Sequence, residues 1–145
     1  MGQLAKILLI EDNEGDAELT IEALENKIIK SNIKVIDNGE DALNYLKLEG
    51  KYQGEDLPDL ILLDLNLPKV DGREILYFIK NTHDLKKIPV VMLTTSSLQS
   101  DIEYAYNNHA NCYVVKSGNL SEFNESINSL ERFWINSVTY PKNEK

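Results

Sequence analysis

Short apolar runs alternate with amphipathic stretches along the whole chain, the signature of successive βα units building a parallel sheet. Five runs read as strands: residues 6–10, 33–36, 60–63, 90–93 and 113–115. The third, Leu60-Ile61-Leu62-Leu63, is continuously apolar, as a strand covered on both faces must be, and it stops abruptly at Asp64. Between the strands the period changes. Ala17, Ile21, Leu24 and Ile28 fall on one helical face at spacings of four, three and four. Asp37-Asn38-Gly39 turns the chain into a second helix with Ala42, Leu43 and Leu46, ending near Gly50. A third follows Gly72 with Ile75, Leu76 and Ile79, and a fourth covers 97–108. The last runs over 120–135 with Leu120, Phe123, Ile127, Leu130 and Trp134 on one stripe, ahead of a polar tail over 136–145. The fold class expected is therefore α/β, one domain over 1–145 with its core over about 5–135. No repeat or linker divides the chain, so no attached output domain is expected.

Composition narrows the function. A net charge of −9 without a compensating Lys/Arg cluster repels nucleic acid phosphates, so the expected partners are proteins. With 42% hydrophobic residues, no apolar run of membrane-spanning length and no basic-then-apolar leader, the chain reads as cytoplasmic with no membrane contact. The single cysteine, Cys112, stands in Cys112-Tyr113-Val114-Val115 and reads as a small packing group. His83 and His109 lack a metal-ligand pattern and read as surface positions.

In an open parallel sheet, ligands bind beyond the carboxyl ends of the strands. Glu11 and Asp12 follow the first strand, Asp64 the third, Thr94 and Thr95 the fourth, and Lys116 the fifth. Acids in such places often cap helices, and a single lysine is often only solvated. Capping does not explain all four strand ends together. Three carboxylates brought together repel one another and demand a cation; Mg2+, an oxygen-seeking ion that neutralises phosphoryl groups, resolves the conflict. The site suits phosphoryl transfer to a carboxylate. Asp64, ending the most apolar strand, is the candidate nucleophile, with Glu11 and Asp12 for the metal. Lys116 can pair with Asp64 before the reaction and with a phosphate oxygen after it, and the Thr94 hydroxyl can donate to another.

These residues resemble the response-regulator receiver family: the acidic pair in Ile-Glu11-Asp12-Asn, the acceptor in Leu-Leu-Asp64-Leu-Asn-Leu-Pro, Thr94, and Tyr-Val-Val-Lys116. More narrowly, Asp64-Leu-Asn-Leu-Pro-Lys-Val-Asp-Gly-Arg-Glu, the long loop before Pro58 and the closing Phe133-Trp134 look like the single-domain, phytochrome-associated subfamily. The resemblance implies a flavodoxin-like three-layer fold of strand order 2-1-3-4-5. It implies direct Mg2+ ligation by Asp12 and Asp64, a third ligand from the backbone carbonyl of Asn66, and a role for Glu11 largely through water. It implies a sensor histidine kinase as phosphodonor, a phytochrome-like one on the narrower resemblance. It implies that Thr94 moves inward and Tyr113 follows, altering the surface from the fourth to the last helix, although an aromatic that begins a strand is commonly only a core residue. Such a protein is a signalling switch with only its own phosphorylation and dephosphorylation as chemistry, acting on a downstream protein.

Two positions differ from the family's usual pattern. Ser117 stands where a proline, often in a cis bond, follows the lysine. A cis bond before another residue costs about 2.5 to 4 kcal/mol, leaving either a strained cis bond or a trans bond with a rearranged loop. His109 stands where glycine often closes the fourth helix, and reads as a helix end in left-handed conformation. Phe133 lies off the last helix's stripe, which leaves core packing or a homodimer patch. Three other functions compete with this reading. A flavin carrier of the same topology needs amide and hydroxyl donors after the first strand, where Glu11-Asp12-Asn13-Glu14 stands. An aspartyl-phosphate hydrolase needs a protonating acid that Asn66 does not supply. A phosphorylation-independent interaction module is kept open by Ser117.

Overall fold

The structure, a computed structural model, describes residues 5–25 and 32–141. Five parallel strands form one sheet of order β2-β1-β3-β4-β5, as the resemblance implies: β1 Ile7–Ile10, β2 Ile33–Ile36, β3 Leu60–Leu63, β4 Val90–Thr94 and β5 Cys112–Val115. The helices are α1 Glu14–Ala23, α2 Gly39–Leu46, α3 Gly72–Lys80, α4 Gln99–Asn107 and α5 Leu120–Leu130. A 3-10 turn, Gly50–Tyr52, follows α2, and a π turn, Glu131–Ile135, continues α5.

Two-residue periodicity sorts the central strands between two cores. Leu8, Ile10, Ile61, Leu63, Val90 and Met92 face α2, α3 and α4, meeting Ala42, Leu46, Ile75, Leu76, Ile79 and Ala105. Ile7, Leu9, Leu60, Leu62, Val91 and Leu93 face α1 and α5, meeting Ala17, Phe123 and Ile127. Every residue of β1, β3 and β4 is therefore buried, whereas the edge strands β2 and β5 are only partly covered. Tyr140, beyond the π turn, also packs on the second core.

Some helix boundaries and faces differ from expectation. The described α1 ends at Ala23, and Ile28 lies outside the described residues. The fourth helix starts at Gln99 rather than 97, because its N-cap position holds Leu98, which has no side chain to accept a backbone N–H. Leu120 is not on the buried stripe: it is 56% exposed, in the first turn after the Asn119 cap. Phe133 does not join the core either. Trp134, on the stripe, packs inward together with Ile135 in the π turn, while Phe133 stays 57% exposed, edge-on to Trp134.

Candidate functional site

Strand register decides what meets at the carboxyl edge. Ile10 pairs with Leu63, so the next residues, Glu11 and Asp64, emerge side by side, and the Asp64 amide donates to Ile10 O at 3.1 Å. Thr94 pairs with Val115, so Lys116 comes one step beyond Thr94, and its amide donates to Thr94 O at 2.7 Å. Four strand ends thus deliver two carboxylates, a hydroxyl and an ammonium to one place. All four residues are buried, while Asp12, one residue further out, is exposed.

The carboxylates are held by their own loops. The Asn13 amide donates to Glu11 Oε2 at 3.2 Å, and the Asn66 amide donates to Asp64 Oδ1 at 3.2 Å. Asn13 is also the N-cap of α1, its side chain accepting from the Asp16 amide at 2.9 Å. The loop from Asp64 to Gly72 is closed by Gly72 N–H donating to Leu65 O at 2.8 Å, and braced from α2 by Gly39 N–H donating to Pro68 O at 3.1 Å. Asn66 itself is exposed on this loop.

Glu11, Asp12 and Asp64 each present a carboxylate oxygen within 4.8 Å of the others. The ligand oxygens of an octahedral Mg2+ stand about 2.9 to 4.2 Å apart, so small side-chain adjustments bring this hard-oxygen set onto such an ion. The donor chemistry fits a hard divalent cation. Lys116 supplies the opposite charge: its Nζ donates to Glu11 Oε1, to Asp16 Oδ2 at 3.0 Å and to Asp64 Oδ2 at 3.2 Å. Burial alone would push the ammonium down, but the hydrogen bond to Glu11, the charge of Asp64 and the bond to Asp16 outweigh it and hold Lys116 above the usual lysine range.

Burial dominates for Glu11, raising its carboxyl to about 7 against the opposing pull of Lys116. The folded state then binds more protons than the unfolded chain between 4.5 and about 7. The contribution of this group to stability is therefore full below that window and falls as pH rises through it. In the presence of a chelator, urea unfolding at pH 5 and pH 8 is expected to reveal a loss on the order of 2 kcal/mol that Glu11→Gln removes. An unchanged pH dependence in Glu11→Gln would show that another group titrates.

The Lys116–Ser117 bond is trans, like every peptide bond among the described residues. Ser117 instead ties down the turn before α5, its Oγ donating to Glu122 Oε2 at 2.7 Å and accepting from the Asn119 amide at 3.0 Å. His109 has φ 70°, just past the last residue of α4, and is exposed, as is His83. Cys112 is half-buried in the second core, and burial pushes its thiol up.

Thr94 is fully buried and accepts a long bond, 3.4 Å, from the Ser96 amide. The hydroxyl of half-buried Tyr113 donates to Ser96 O at 2.9 Å. Sequence reasoning missed what lies beyond. Ser96 Oγ donates to Asp101 Oδ2 at 2.5 Å, and Arg73 donates to Asp101 Oδ1 at 2.6 Å while also pairing with Asp71. The Ser96 hydrogen bond first, then Arg73, holds the Asp101 carboxyl below its usual range. This network joins the start of α3 to α4 and to the loop after Thr94. Asp16 was missed as well. Both acids sit in the first turn of a helix, where the macrodipole already accounts for a carboxylate, so their sequence signal was silent.

Residues 7–128 match the response regulator receiver domain family. Response regulator Rcp1 of Synechocystis sp. is 44% identical over 135 residues, covering 93% of this chain and 92% of its own. The crystal structure of the Mn2+-bound form of Rcp1 superposes with a TM-score of 0.90 at 43% identity, covering 95% of this chain and 99% of the other. The phosphorylated cyanobacterial phytochrome response regulator RcpA superposes with a TM-score of 0.92 at 46% identity, covering 97% and 100%. Fold, convergence of charged strand ends and these relationships lead to one conclusion: the chain belongs to the response regulator receiver domain family and is a signalling protein of two-component type.

Proposed function

We propose that the chain accepts a phosphoryl group on Asp64 from the phosphohistidine of a sensor histidine kinase. The observation that carries this reading is the meeting of Glu11, Asp12 and Asp64 with a single ammonium, Lys116. An Asp64 carboxylate oxygen forms the new O–P bond as the P–N bond to the donor imidazole breaks, and the leaving electron pair stays on the imidazole nitrogen. Mg2+, when bound, neutralises the phosphoryl oxygens; the Asp12 and Asp64 carboxylates and the Asn66 carbonyl would hold it directly, and Glu11 through water. Lys116 turns one N–H from Asp64 to a phosphate oxygen, and Thr94 donates its hydroxyl to another. The trans Lys116–Ser117 bond still delivers the ammonium to 3.2 Å from Asp64, which supports this reading over a phosphorylation-independent module.

The phosphate gains contacts with Thr94 and Lys116 only in the closed arrangement, so a differential of about a few kcal/mol shifts the population. Tyr113 follows Thr94 by leaving Ser96 O, and the face of α4, β5 and α5 carries the signal to a downstream protein. Likeness to phytochrome response regulators supports a phytochrome-type kinase as donor. The exposed Val115 of β5 and the exposed Phe133 in the π turn beyond α5 support a homodimer as a further use of the surface. The proposed setting is cytoplasmic, with one receiver domain over 1–145, no direct nucleic acid contact and no turnover beyond the protein's own phosphorylation and dephosphorylation; among the described residues, no helix is long and apolar enough to cross a membrane.

Acetyl phosphate with Mg2+ is expected to add one phosphate by intact mass, and excess EDTA to prevent it. Absence of labelling, or labelling indifferent to EDTA, would overturn the reading.

A further inference from the structure

A lysine ammonium has three N–H donors, and on Lys116 three carboxylates take them: Glu11, Asp16 and Asp64. Glu11 and Asp64 belong to the cluster suited to a cation, and on the function proposed above both turn towards the metal and the phosphate. Asp16 stands outside that cluster, in the first turn of α1, with its side chain one-third exposed. We propose that Asp16 is a positioning residue of the phosphoryl-transfer site, holding the Lys116 ammonium while its bonds to Glu11 and Asp64 are exchanged for a phosphate oxygen. This inference rests on Asp64 as phosphoacceptor.

The backbone after Lys116 does little to aim the lysine. The Lys116–Ser117 bond is trans, the Ser117 hydroxyl is committed to Glu122 and Asn119, and a Cβ built on Gly118 would meet nothing within 4 Å. The long side chain is therefore located by its partners. Asp16, in contrast, is fixed from both sides of its main chain. Its amide donates to the Asn13 side chain at 2.9 Å, and its carbonyl accepts from the hydroxyl of buried Thr20 at 2.8 Å. The carboxylate is thus carried on a capped helix end and sits 3.0 Å from Nζ. A flexible ammonium tethered to such an anchor keeps its remaining N–H groups directed into the site, the pre-orientation that phosphoryl transfer requires.

The test uses the full chain, Mg2+ and acetyl phosphate, with initial phosphorylation rates read by intact mass. Asp16→Ala is expected to slow labelling about tenfold, and Asp16→Asn, which keeps an acceptor oxygen and the side-chain shape, about threefold. In a Lys116→Ala background Asp16→Ala should change the rate less than about twofold, since the group it holds is gone. Mg2+ affinity by calorimetry should stay within about threefold of the parent, because Asp16 is not a ligand. Equal slowing in both backgrounds would mean a general structural defect, and a loss of Mg2+ affinity of about tenfold or more would mean a metal role; either overturns the inference. Asp16→Asn decides the matter should Asp16→Ala fail to fold. Normal labelling of both Asp16 variants sinks this inference alone, whereas a parent that takes up no phosphate sinks the Asp64 reading and this one with it.

Discussion

Asp64→Asn is expected to abolish labelling by acetyl phosphate and Mg2+, with a rate loss beyond about a thousandfold, because a neutral amide oxygen is a poor nucleophile and a poor cation ligand. The fold should survive. Asp64 is buried, its Oδ1 accepting from the Asn66 amide and its Oδ2 from Lys116; the single asparagine oxygen can keep the Asn66 bond, while Lys116 loses one acceptor and retains Glu11 and Asp16. One repulsion also disappears, since the charge of Asp64 helps to raise the Glu11 carboxyl. Stability by urea unfolding should therefore change by no more than about 1 kcal/mol in either direction. Loss of labelling with an intact fold assigns the acceptor. Undiminished labelling of Asp64→Asn would move the phosphate to another carboxylate, with exposed Asp12 the first to examine.

The parts of this site that could be read in the sequence are those written in apolar runs. β1, β3 and β4 are buried on both faces, so their ends are marked by abrupt changes from aliphatic residues to Glu11, Asp64 and Thr94-Thr95. Lys116 follows the partly covered edge strand β5, where the change from Val114-Val115 to a charged residue marks it. What placed these ends beside one another was the register, Ile10 with Leu63 and Thr94 with Val115, and periodicity within a strand says nothing about its neighbours. The strand order came from family resemblance for the same reason.

What escaped was set by tertiary geometry. Ser97 read as helical because its neighbours are polar and periodic, but Leu98 leaves the start of α4 without a side-chain cap, and Ser96 bonds across to Asp101 instead. Phe133 lies off the stripe that carries Trp134, which leaves core packing or a surface patch, and only the packing around the π turn shows it exposed. Asp16 and Asp101 looked like ordinary first-turn acids. Their partners, Lys116 and Arg73, are 100 and 28 residues away in the chain. Long-range pairing of this kind is invisible to any local pattern, and here it tethers the lysine at one side of the site and the loop after Thr94 at the other.

Alanine at Gly72 is expected to be the most damaging single-methyl addition among the glycines bordering the Asp64 loop, together with its counterpart at Gly39. A Cβ on Gly72 would stand 2.1 Å from the carbonyl oxygen of Asp64, 2.7 Å from Leu65 Cα and 2.8 Å from Leu65 O. These are backbone atoms, which cannot swing aside as a side-chain tip can, so α3 or the loop must move. A Cβ on Gly39 would meet Val70 O at 1.9 Å, so the loop is gripped by glycines at both flanks. The expected cost for Gly72→Ala is about 2 to 3 kcal/mol, set by overpacking and not by backbone conformation. Because the displaced atom is the carbonyl of Asp64 itself, the carboxylate should lose its alignment with Lys116, Glu11 and Asp12. A shift of about 1 Å can cost on the order of a hundredfold in rate. Gly118→Ala is the control, with open space around its Cβ and an expected change within about 0.5 kcal/mol. If urea unfolding and acetyl phosphate labelling of Gly72→Ala match those of Gly118→Ala, the loop is pliant and the close approach of Gly72 does not hold Asp64 in place. If both fall together, the glycine is what lets a helix start press against Asp64, the proposed phosphoacceptor.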